Sequence, residues 1–427
     1  MGSSTSVKKE TDKQKVLRLL KEKRNIFITG GGGVGKSYLL KELCELRDIT
    51  VTSTTGISAL NVGGQTVHSW SGIGTASKSI NEIVASIKKN KTRLYNIEST
   101  DILAIDEISM LDDFTLDYLN QVLKNVLQSN KPFGGLQVIL IGDFFQLPPV
   151  QLGNNRDFCF NSKTWQELNL EIINLKKVYR QDDEQLITAL NNIREGDISS
   201  CQIFASRNFV EPSEDCVRLY ATNEEVNNYN KLRFDAIKKP AKKFYSQDII
   251  KCWIDGKKKD LKPNDPKVPD WDKAIYNTFN NSCKAPSCLE LKQGCRVMLL
   301  QNIDVEGGLV NGSCGNVLKL TDFDVTVKFD NGRTFSVEKA DFEYCQYGFV
   351  KVKRTQFPLA LSYAVSIHKS QGMTFDKVFI DFSRIFTFGQ AYVALSRVKS
   401  LLGLFIKNFN PLKIKANPSV INFYKNL

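Results

Sequence analysis

Residues 30–37 read GGGGVGKS, and this run constrains the fold of the chain more than any other feature. It follows a short β-rich run, residues 25–29, and precedes residues 38–43, whose apolar side chains recur at helical spacing. In a strand–loop–helix context the loop N–H groups can wrap a phosphate, toward which the helix points its positive dipole end. The pattern therefore predicts a nucleotide site, with a plain flexible glycine loop as the alternative.

The predicted nucleotide contacts form one continuous stretch: Gly30, Gly31, Gly32, Gly33, Val34, Gly35, Lys36, Ser37 and Tyr38. Within it, Lys36 would pair with the β- and γ-phosphates, and the Ser37 hydroxyl would hold Mg²⁺.

Two further apolar runs end in polar side chains suited to phosphate chemistry. Residues 102–105 precede Asp106, which can anchor Mg²⁺, and Glu107, which can polarise the attacking water. Residues 137–142 lead to Gln146, which could sense the γ-phosphate. Alternating buried strands and helices predict an α/β fold with a parallel, doubly wound sheet whose strand ends gather the ligand.

Length and composition exclude several other classes of protein. A chain of 427 residues with 42% hydrophobic and 24% charged residues has two to four domains' worth of globular core. Its apolar runs are far shorter than a membrane span, and the N-terminus has no signal-peptide core, so we expect an intracellular protein that is not secreted. Ten Cys without a CxxC pair indicate reduced thiols; a zinc site at Cys252, Cys283, Cys288 and Cys295 is the less favoured alternative.

Excess positive charge points to a polyanionic partner. The formal net charge is +12, and residues 231–292 hold 15 basic and 8 acidic side chains together with Trp253 and Trp271. Two interpretations of that segment remain open at this point. It is either a solvated, insertion-like surface loop or a nucleic-acid contact in which bases stack on the aromatic rings.

Eight runs in a fixed order carry a resemblance to a known family. They are GGGGVGKS (30–37), TSTTGI (52–57) with GQTVHS (64–69), DEISML (106–111), GDFFQLPP (142–149), VYRQ (178–181), YATN (220–223), SIHKSQG (366–372) and YVALSR (392–397). Together they resemble a Pif1-like superfamily 1B DNA helicase, and the ordered matches span residues 14–404.

The resemblance implies two RecA-like P-loop NTPase domains that face each other across ATP, with Mg²⁺ as cofactor. By the same resemblance Gln14 reads adenine, and Gln146 couples the γ-phosphate to the DNA. Arg180 and Arg397 resemble the arginines that the second domain inserts to neutralise transition-state charge. Arginine suits that role because its planar fork stays charged and can bind phosphate bidentately.

Nucleic-acid contacts are also predicted by resemblance, at Thr54, His68, Asn223, His368, Lys369 and Ser370. The implied partners are single-stranded DNA and forked or tailed duplex DNA, with G-quadruplexes and RNA–DNA hybrids left open. No membrane partner is expected, and the free protein is expected to be a monomer.

The resemblance also assigns domains. Residues 1–12 are an N-terminal tail, 13–165 form domain 1A with a 1B wedge at about 72–96, and 166–314 with 354–427 form domain 2A. Residues 315–353 alternate apolar and polar side chains around the turn signal at 330–332, as short antiparallel strands do, and the resemblance implies that they are an SH3-like 2B domain. The basic insert, about 240–285, matches no motif. We expect a bare motor core without long extensions; residues 1–6 fit an N-myristoylation pattern, to which we give little weight.

The motifs by themselves predict an NTPase, and the resemblance implies an ATP-dependent 5′-to-3′ DNA helicase, a class associated with DNA replication, repair, recombination and telomere maintenance. The first alternative is a nucleic-acid-stimulated NTPase that moves on DNA and displaces proteins without unwinding duplex. A DNA-binding protein with a degenerate ATPase is disfavoured because every expected catalytic side chain is present. A small-molecule kinase would explain neither the later motifs nor the charge.

Overall fold

The computed structural model describes residues 10–54, 58–59, 65–74, 76, 78–149, 155–208, 210, 212, 216–254, 257–301, 303–304, 307, 309, 312–346 and 349–427. Residues 55–57 and 64 of the sequence motifs, and the myristoylation pattern, lie outside the described residues. The chain divides into two compact units, Met1–Tyr179 with Asn417–Leu427, and Arg180–Ala416. The sequence analysis instead placed the boundary at residue 165 and assigned the C-terminus to the second motor domain.

Six parallel strands form the sheet of the first unit: β1 (Ile26–Thr29), β2 (Thr50–Ser53), β3 (Gln65–Thr66), β4 (Ile102–Asp106), β5 (Gln137–Ile141) and β6 (Glu171–Asn174). Their order is β3-β2-β4-β5-β1-β6. All four residues of β1 are buried, as are the last four of β4 and of β5. Burial on both faces is what a parallel sheet covered by helices requires, and it explains the continuous apolar runs in the sequence.

Helices of the first unit connect these strands: α1 (Asp12–Lys21), α2 (Lys36–Leu46), α3 (Val67–Ser71), α4 (Ile80–Lys89), α5 (Lys91–Glu98), α6 (Asp113–Val126) and α7 (Lys163–Glu167). Short 3-10 turns lie at Ile108–Met110, Pro132–Gly135 and Cys159–Asn161. The predicted helix after the glycine loop is confirmed as α2.

The segment assigned to the 1B wedge contains α4 and α5. The sequence analysis regarded it as weakly patterned, whereas α4 is an amphipathic helix with Ile83 and Ile87 buried. It begins with a capping box, in which the side chain of Ser79 accepts from the backbone of Glu82 and the Glu82 carboxylate accepts in return. Both the helical spacing of the apolar residues in α4 and its capping residues are present in the sequence, but they are less evident among the surrounding Ser and Lys residues.

The described residues of the second unit form fifteen strands: β7 (Val217–Tyr220), β8 (Ala241–Tyr245), β9 (Gln247–Ile254), β10 (Lys257–Leu261), β11 (Cys288–Lys292), β12 (Arg296–Leu299), β13 (Cys314–Leu320), β14 (Asp324–Phe329), β15 (Thr334–Glu338), β16 (Ala340–Gln346), β17 (Phe349–Gln356), β18 (Leu359–Leu361), β19 (Ala364–Ser366), β20 (Val378–Asp381) and β21 (Leu404–Lys407). Its helices are α8 (Glu184–Arg194), α9 (Gln202–Ala205), α10 (Asn223–Asp235), α11 (Asp270–Ser282) and α12 (Gln390–Leu395), with 3-10 turns at Phe382–Arg384, Leu401–Gly403 and Pro411–Lys413.

Strands β19, β7, β20 and β21 form a second parallel sheet in that order. The other strands of the unit are antiparallel and form a five-stranded sheet (β15-β14-β13-β12-β18), a four-stranded sheet (β10-β9-β17-β16) and the pair β11-β8. The three strands predicted around the 330–332 turn are confirmed as β13, β14 and β15, and Gly332 has the positive φ of 87° that such a turn favours.

Hydrogen bonding groups the strands of the second unit differently from the boundaries assigned by sequence. Strand β17 pairs with β9 of the basic insert, so β16 and β17, placed with the 315–353 domain or next to it, lie in one sheet with β9 and β10. That insert is an ordered part of the fold, so the interpretation of residues 231–292 as a surface loop is wrong. Arg354 on β17 is fully buried and donates to both carboxylate oxygens of Asp248 on β9, which ties the two segments together.

After Ala416 the chain returns to the first unit as α13 (Pro418–Lys425). Asn417 caps this helix by accepting from the N–H of Ser419, and Pro418 at the first helical position suits its start. Phe423 packs against Phe160 with ring centroids 4.3 Å apart.

The predicted α/β class is confirmed by two parallel sheets flanked by helices and by the antiparallel sheets of the second unit. Among the described residues, no helix is long and apolar enough to cross a membrane.

Candidate functional site

Three predicted segments meet at the carboxyl edge of the first sheet because β1, β4 and β5 are parallel neighbours. The glycine loop follows β1, Asp106 and Glu107 end β4, and Gln146 follows β5. Glycine is required at particular points of the loop. A Cβ on Gly30, whose φ is 140°, would lie 2.4 Å from the carbonyl oxygen of Leu175, and Gly35 is left-handed at the start of α2.

Lys36 and Ser37 lie at the N-terminus of α2. The Lys36 ammonium donates to the carbonyl oxygens of Gly30 at 2.6 Å and Gly31 at 2.9 Å, which holds it over the loop. The Ser37 hydroxyl lies 3.5 Å from Oδ2 of Asp106. A hydroxyl and a carboxylate oxygen at this spacing are hard ligands of the kind that Mg²⁺ prefers, so these two residues fit the predicted metal position.

Asp106 is buried and its charge is poorly solvated. Burial, followed by the neighbouring charge of Glu107, raises the pKa of Asp106 to about 7, although the N–H of Glu107 and the Lys36 charge act in the opposite direction. The Glu107 N–H donates to Oδ1 of Asp106 at 2.8 Å. One carboxylate oxygen is thus fixed by the backbone, and the other is directed at Ser37.

Glu107 adopts the left-handed conformation, with φ 54° and ψ 42°. Non-glycine residues avoid this region, and they persist there only when their surroundings hold them. Here the Thr54 hydroxyl donates to the Glu107 carbonyl at 2.8 Å, and the Ser53 hydroxyl donates to the Asp106 carbonyl at 3.1 Å. Thr54, predicted as a nucleic-acid contact, is therefore also a support for the two carboxylates.

Gln146 is 5% exposed and lies in the turn after β5. Its amide donates weakly to Oδ2 of Asp143 at 3.4 Å, and its N–H donates to the Asp143 carbonyl at 2.9 Å. The turn therefore holds Gln146 in place at the same sheet edge as Asp106.

A cavity of about 650 Å³ opens beside the loop, and it lies wholly in the first unit. Its walls come from α1, the loop, α2 and the segment after β6, and they include Thr11, Lys13, Val34, Tyr38, Glu42, Lys177 and Tyr179. Gln14, the predicted adenine reader, does not line it. Its side-chain carbonyl accepts from the N–H of Thr11 in the capping box of α1, one turn from the cavity wall.

Arg180 and Arg397 meet at Ser396 in the second unit. Arg180 donates to the Ser396 carbonyl at 3.0 Å and to the Thr374 hydroxyl at 2.9 Å, and Arg397 donates to the Ser396 hydroxyl at 2.7 Å. Their burial differs. Arg180 is half-buried, whereas Arg397 is 1% exposed, with its Nε donating to the Val393 carbonyl. In this arrangement Arg397 stabilises the turn at the end of α12, in which it lies.

Comparison with known protein families identifies the family to which this chain belongs. A family model described as PIF1-like helicase matches residues 10–204, and one described as DNA helicase Pif1, 2B domain, matches residues 275–320. The ATP-dependent DNA helicase Pif1 of Bdellovibrio bacteriovorus is 31% identical, over 96% of this chain and 90% of its own length. The chain belongs to the PIF1-like helicase family.

Other relatives are longer. The ATP-dependent DNA helicases PIF1 of Xenopus laevis and Homo sapiens are 34% and 35% identical, and this chain spans 64% of the length of each. Among solved structures, Pif1 helicase from Candida albicans has a TM-score of 0.79 at 35% identity, covering 97% of this chain and 98% of that one. Bacteroides sp Pif1 in complex with ADP-AlF4 has a TM-score of 0.80 at 30% identity, covering 97% and 96%.

In this PIF1-like chain the predicted nucleic-acid contacts lie at the sheet edges. Thr54 and His68 follow the neighbouring parallel strands β2 and β3 of the first unit. His68 is half-buried, and burial lowers its pKa, so the imidazole is mainly neutral at physiological pH. It can accept or donate a hydrogen bond there but brings no charge.

A second group of predicted contacts lies at the carboxyl edge of the second parallel sheet. Asn223 follows β7, and His368 and Lys369 follow its neighbour β19; all three are exposed. Ser370 is different. It is 0% exposed, and its hydroxyl donates to the Ile367 carbonyl at 2.8 Å, so this structure gives no support to its predicted DNA contact.

Tyr179 was missed as a nucleotide-site residue by the sequence analysis. Its ring is 66% exposed and lines the cavity, its edge lies 3.6 Å from the position of a Cβ on Gly35, and its N–H donates to the Gly33 carbonyl at 2.8 Å. An exposed aromatic ring beside a phosphate loop is suited to stacking on a base. The signal was present, since Tyr179 directly precedes Arg180 in the VYRQ run.

Within the part of the chain that the structure describes, no group of three or more His, Cys, Asp or Glu side chains is arranged as a metal site.

Proposed function

We propose that this chain is an ATP- and Mg²⁺-dependent DNA helicase that moves 5′ to 3′ on single-stranded DNA. The observation that carries the proposal is the convergence of Lys36, Ser37, Asp106 and Glu107 at one sheet edge, in a chain of the PIF1-like family. The choice of single-stranded DNA is supported by a related structure: Bacteroides Pif1 has been crystallised bound to ssDNA, with a TM-score of 0.68 at 30% identity.

ATP would lie with its phosphates on the glycine loop and its base in the adjacent cavity. Lys36 would exchange its two carbonyl partners for phosphate oxygens, which are stronger acceptors because they are charged. Tyr179 would cover one face of the base, with Gln14 reading its edge. Mg²⁺, held by Ser37 and Asp106, would neutralise charge on the β- and γ-phosphates.

Glu107 would orient and deprotonate the attacking water, since it is a carboxylate that directly follows Asp106 at the same sheet edge. Arg180 would neutralise charge that develops on the γ-phosphate, because it is half-buried and bonds neutral acceptors that a phosphate can replace. Arg397 would first have to leave its bonds to Val393 and Ser396. We therefore assign Arg180 the larger share of this role.

DNA would follow the sheet edges that carry Thr54 and His68 in the first unit and Asn223, His368 and Lys369 in the second. Thr54 bonds the carbonyl of Glu107, so a phosphate at Thr54 and the water-activating carboxylate would share one short connection. Hydrolysis would respond to DNA through that connection. Such phosphate contacts set position rather than sequence preference.

The test compares unwinding of two partial duplexes, one with a 5′ and one with a 3′ single-stranded tail, with ATP and Mg²⁺. Wild type should open only the 5′-tailed duplex. Lys36→Ala and Glu107→Gln should each lower DNA-stimulated ATP hydrolysis by about a hundredfold or more, the range expected for a lost phosphate ligand or general base. Lys41→Ala is the matched control, since Lys41 is an exposed lysine on the same helix.

Other outcomes would point elsewhere. If neither duplex opens while ATP hydrolysis still rises with single-stranded DNA, the protein is a translocase that remodels protein–DNA complexes, the second candidate, and the wedge assignment falls. If DNA leaves hydrolysis unchanged, the helicase proposal is wrong. G-quadruplex and RNA–DNA hybrid substrates in the same assay, and sedimentation with and without DNA, would define the preferred substrate and test the expected monomer.

A further inference from the structure

The C-terminal helix α13 inserts two aromatic side chains behind the nucleotide site. Phe423 packs among Phe27, Phe144, Phe160 and Trp165, with ring centroids 4.3–6.2 Å from its own. These rings anchor the helix to the first sheet through β1 and the turn after β5. Residues 417–427 thus belong to the unit that carries the glycine loop.

Tyr424, the next residue, reaches the strand ends themselves. Its hydroxyl lies 2.7 Å from Oγ1 of Thr29 and accepts from the N–H of Phe144 at 3.2 Å. Its ring stacks on Phe145, with centroids 4.8 Å apart and planes at 14°. A tyrosine hydroxyl can accept one hydrogen bond and donate another, so a single oxygen can satisfy both neighbours.

The two groups joined by Tyr424 belong to different parts of the site. Thr29 is the last residue of β1 and directly precedes Gly30, whose carbonyl accepts from Lys36 at 2.6 Å. Phe144 and Phe145 directly precede Gln146. The strands already bond just below this point, where the Gly142 N–H donates to the Ile28 carbonyl at 3.1 Å. Beyond these backbone hydrogen bonds between strands, the Tyr424 hydroxyl connects the end of β1, before the glycine loop, to the turn after β5.

We propose that Tyr424 is a positioning residue for ATP hydrolysis, which sets the spacing between the start of the glycine loop and the turn that carries Gln146. This inference rests on the ATPase activity proposed above. Thr29 is 1% exposed and Phe144 is 2% exposed, so water cannot easily replace the hydroxyl as their partner. Without it the two loops keep their residues but lose the link between them. Catalysis is sensitive to shifts of about 1 Å in such groups.

The test measures DNA-stimulated ATP hydrolysis of the full chain carrying Tyr424→Phe, which keeps the ring and the Phe145 stack. We expect kcat to fall roughly tenfold, while KM for ATP and the affinity for a fluorescent ADP change less than about threefold. Rates are expressed per folded molecule, from the stoichiometry of ADP binding. A merely structural role would lower the melting temperature and leave kcat per folded molecule unchanged.

Tyr118→Phe is the matched control. It also removes one hydroxyl from the first unit, where the Tyr118 hydroxyl donates to the Lys78 carbonyl at 2.8 Å, away from the nucleotide. We expect its kcat to stay within about twofold of wild type. Thr29→Val removes the same bond from the strand side and should lower kcat as Tyr424→Phe does. The double variant should be little worse than either single variant, since both remove one interaction.

The results separate this inference from the proposed function. If wild type shows no DNA-stimulated hydrolysis, the proposed function fails first. If wild type is active and folded Tyr424→Phe keeps kcat within twofold, Tyr424 has no positioning role. Should Tyr424→Phe fail to fold, Thr29→Val decides: a wild-type kcat there would overturn the proposal, and a tenfold loss at unchanged ADP affinity would support it.

Discussion

Glu107 shows how a residue can be held in an unfavourable backbone conformation at the place where geometry matters. Left-handed backbone at a non-glycine residue costs of the order of 1–3 kcal/mol. Hydrogen bonds from Thr54 to its carbonyl and from its own N–H to Asp106 offset part of that cost. The consequence is that Asp106 directs one carboxylate oxygen at Ser37, while the backbone of the residue beside it is fixed in a left-handed turn.

The buried charge of Asp106 should lower the stability of the folded protein when nucleotide and Mg²⁺ are absent. Its folded-state pKa is raised to about 7 from an ordinary value of 3.8. The folded state therefore keeps a proton that the unfolded chain releases as pH rises between these values, so stability is lost across that window. Asp106→Asn should stabilise the ligand-free protein by of the order of 2 kcal/mol at pH 8, and by much less at pH 4.5.

Thermal melting at the two pH values measures this effect. Asp48→Asn is the control, since Asp48 is exposed and its neutralisation relieves no burial. Equal gains for Asp106→Asn at pH 4.5 and pH 8 would contradict the explanation.

At the scale of elements, the hairpin formed by β9 and β10 lies in the basic insert, to which the sequence motifs assigned no function. Ile250 and Cys252 face its core, while Trp253 is 69% exposed and pairs in register with Lys258 on the edge strand β10. An exposed indole beside lysines suits single-stranded nucleic acid, because bases stack on the ring and lysines neutralise phosphates.

Trp253→Ala should weaken binding of single-stranded DNA by about tenfold, the loss of roughly one stacking interaction. Fluorescence anisotropy of a labelled oligonucleotide across a salt series would measure it. The matched control is Phe323→Ala: this ring is 85% exposed, on the turn between β13 and β14, but it lies between Asp322 and Asp324. Similar losses for both variants, or none for Trp253→Ala, would remove the hairpin from the DNA path.

At the scale of the whole molecule, the chain leaves the first unit after Tyr179 and returns to it at Asn417. The first crossing directly follows Tyr179, which lines the cavity, and the second leads into the helix from which Tyr424 joins the strand ends. The C-terminal segment is thus a structural part of a unit whose other residues lie more than two hundred positions earlier.

Deleting residues 417–427 should therefore destabilise the first unit selectively. Removing Phe423 exposes the rings that it covers, and burial of one such side chain is worth about 1.5–3 kcal/mol. Hydrogen exchange should show reduced protection in β1 and β5 and unchanged protection in β7 and β20. Deleting only Asn426 and Leu427, which are exposed, should have little effect. Equal loss in both units would contradict the assignment of α13 to the first.

Local sequence determined the parts of this protein whose physics is local. The run 30–37 specifies a loop whose backbone can bind phosphate, because some of its glycines adopt conformations that other residues avoid and the helix after it forms from local interactions. Strands β4 and β5 could be read because a strand buried on both faces needs an apolar run. The carboxylates, Gln146 and the arginines could be named because motifs keep them at fixed positions along the chain.

Tertiary structure alone decided what depends on distant partners. Strands β17 and β9 pair although about a hundred residues separate them in the chain. The pattern of apolar and polar residues within a strand does not show which other strand it pairs with. Likewise, nothing in residues 417–427 indicates that Tyr424 ends beside Thr29, and the burial of Ser370 and Arg397 follows from how their turn packs. The sequence identified the candidate reactive groups, and long-range packing decided which of them meet at one sheet edge, which are exposed to solvent and which support their neighbours.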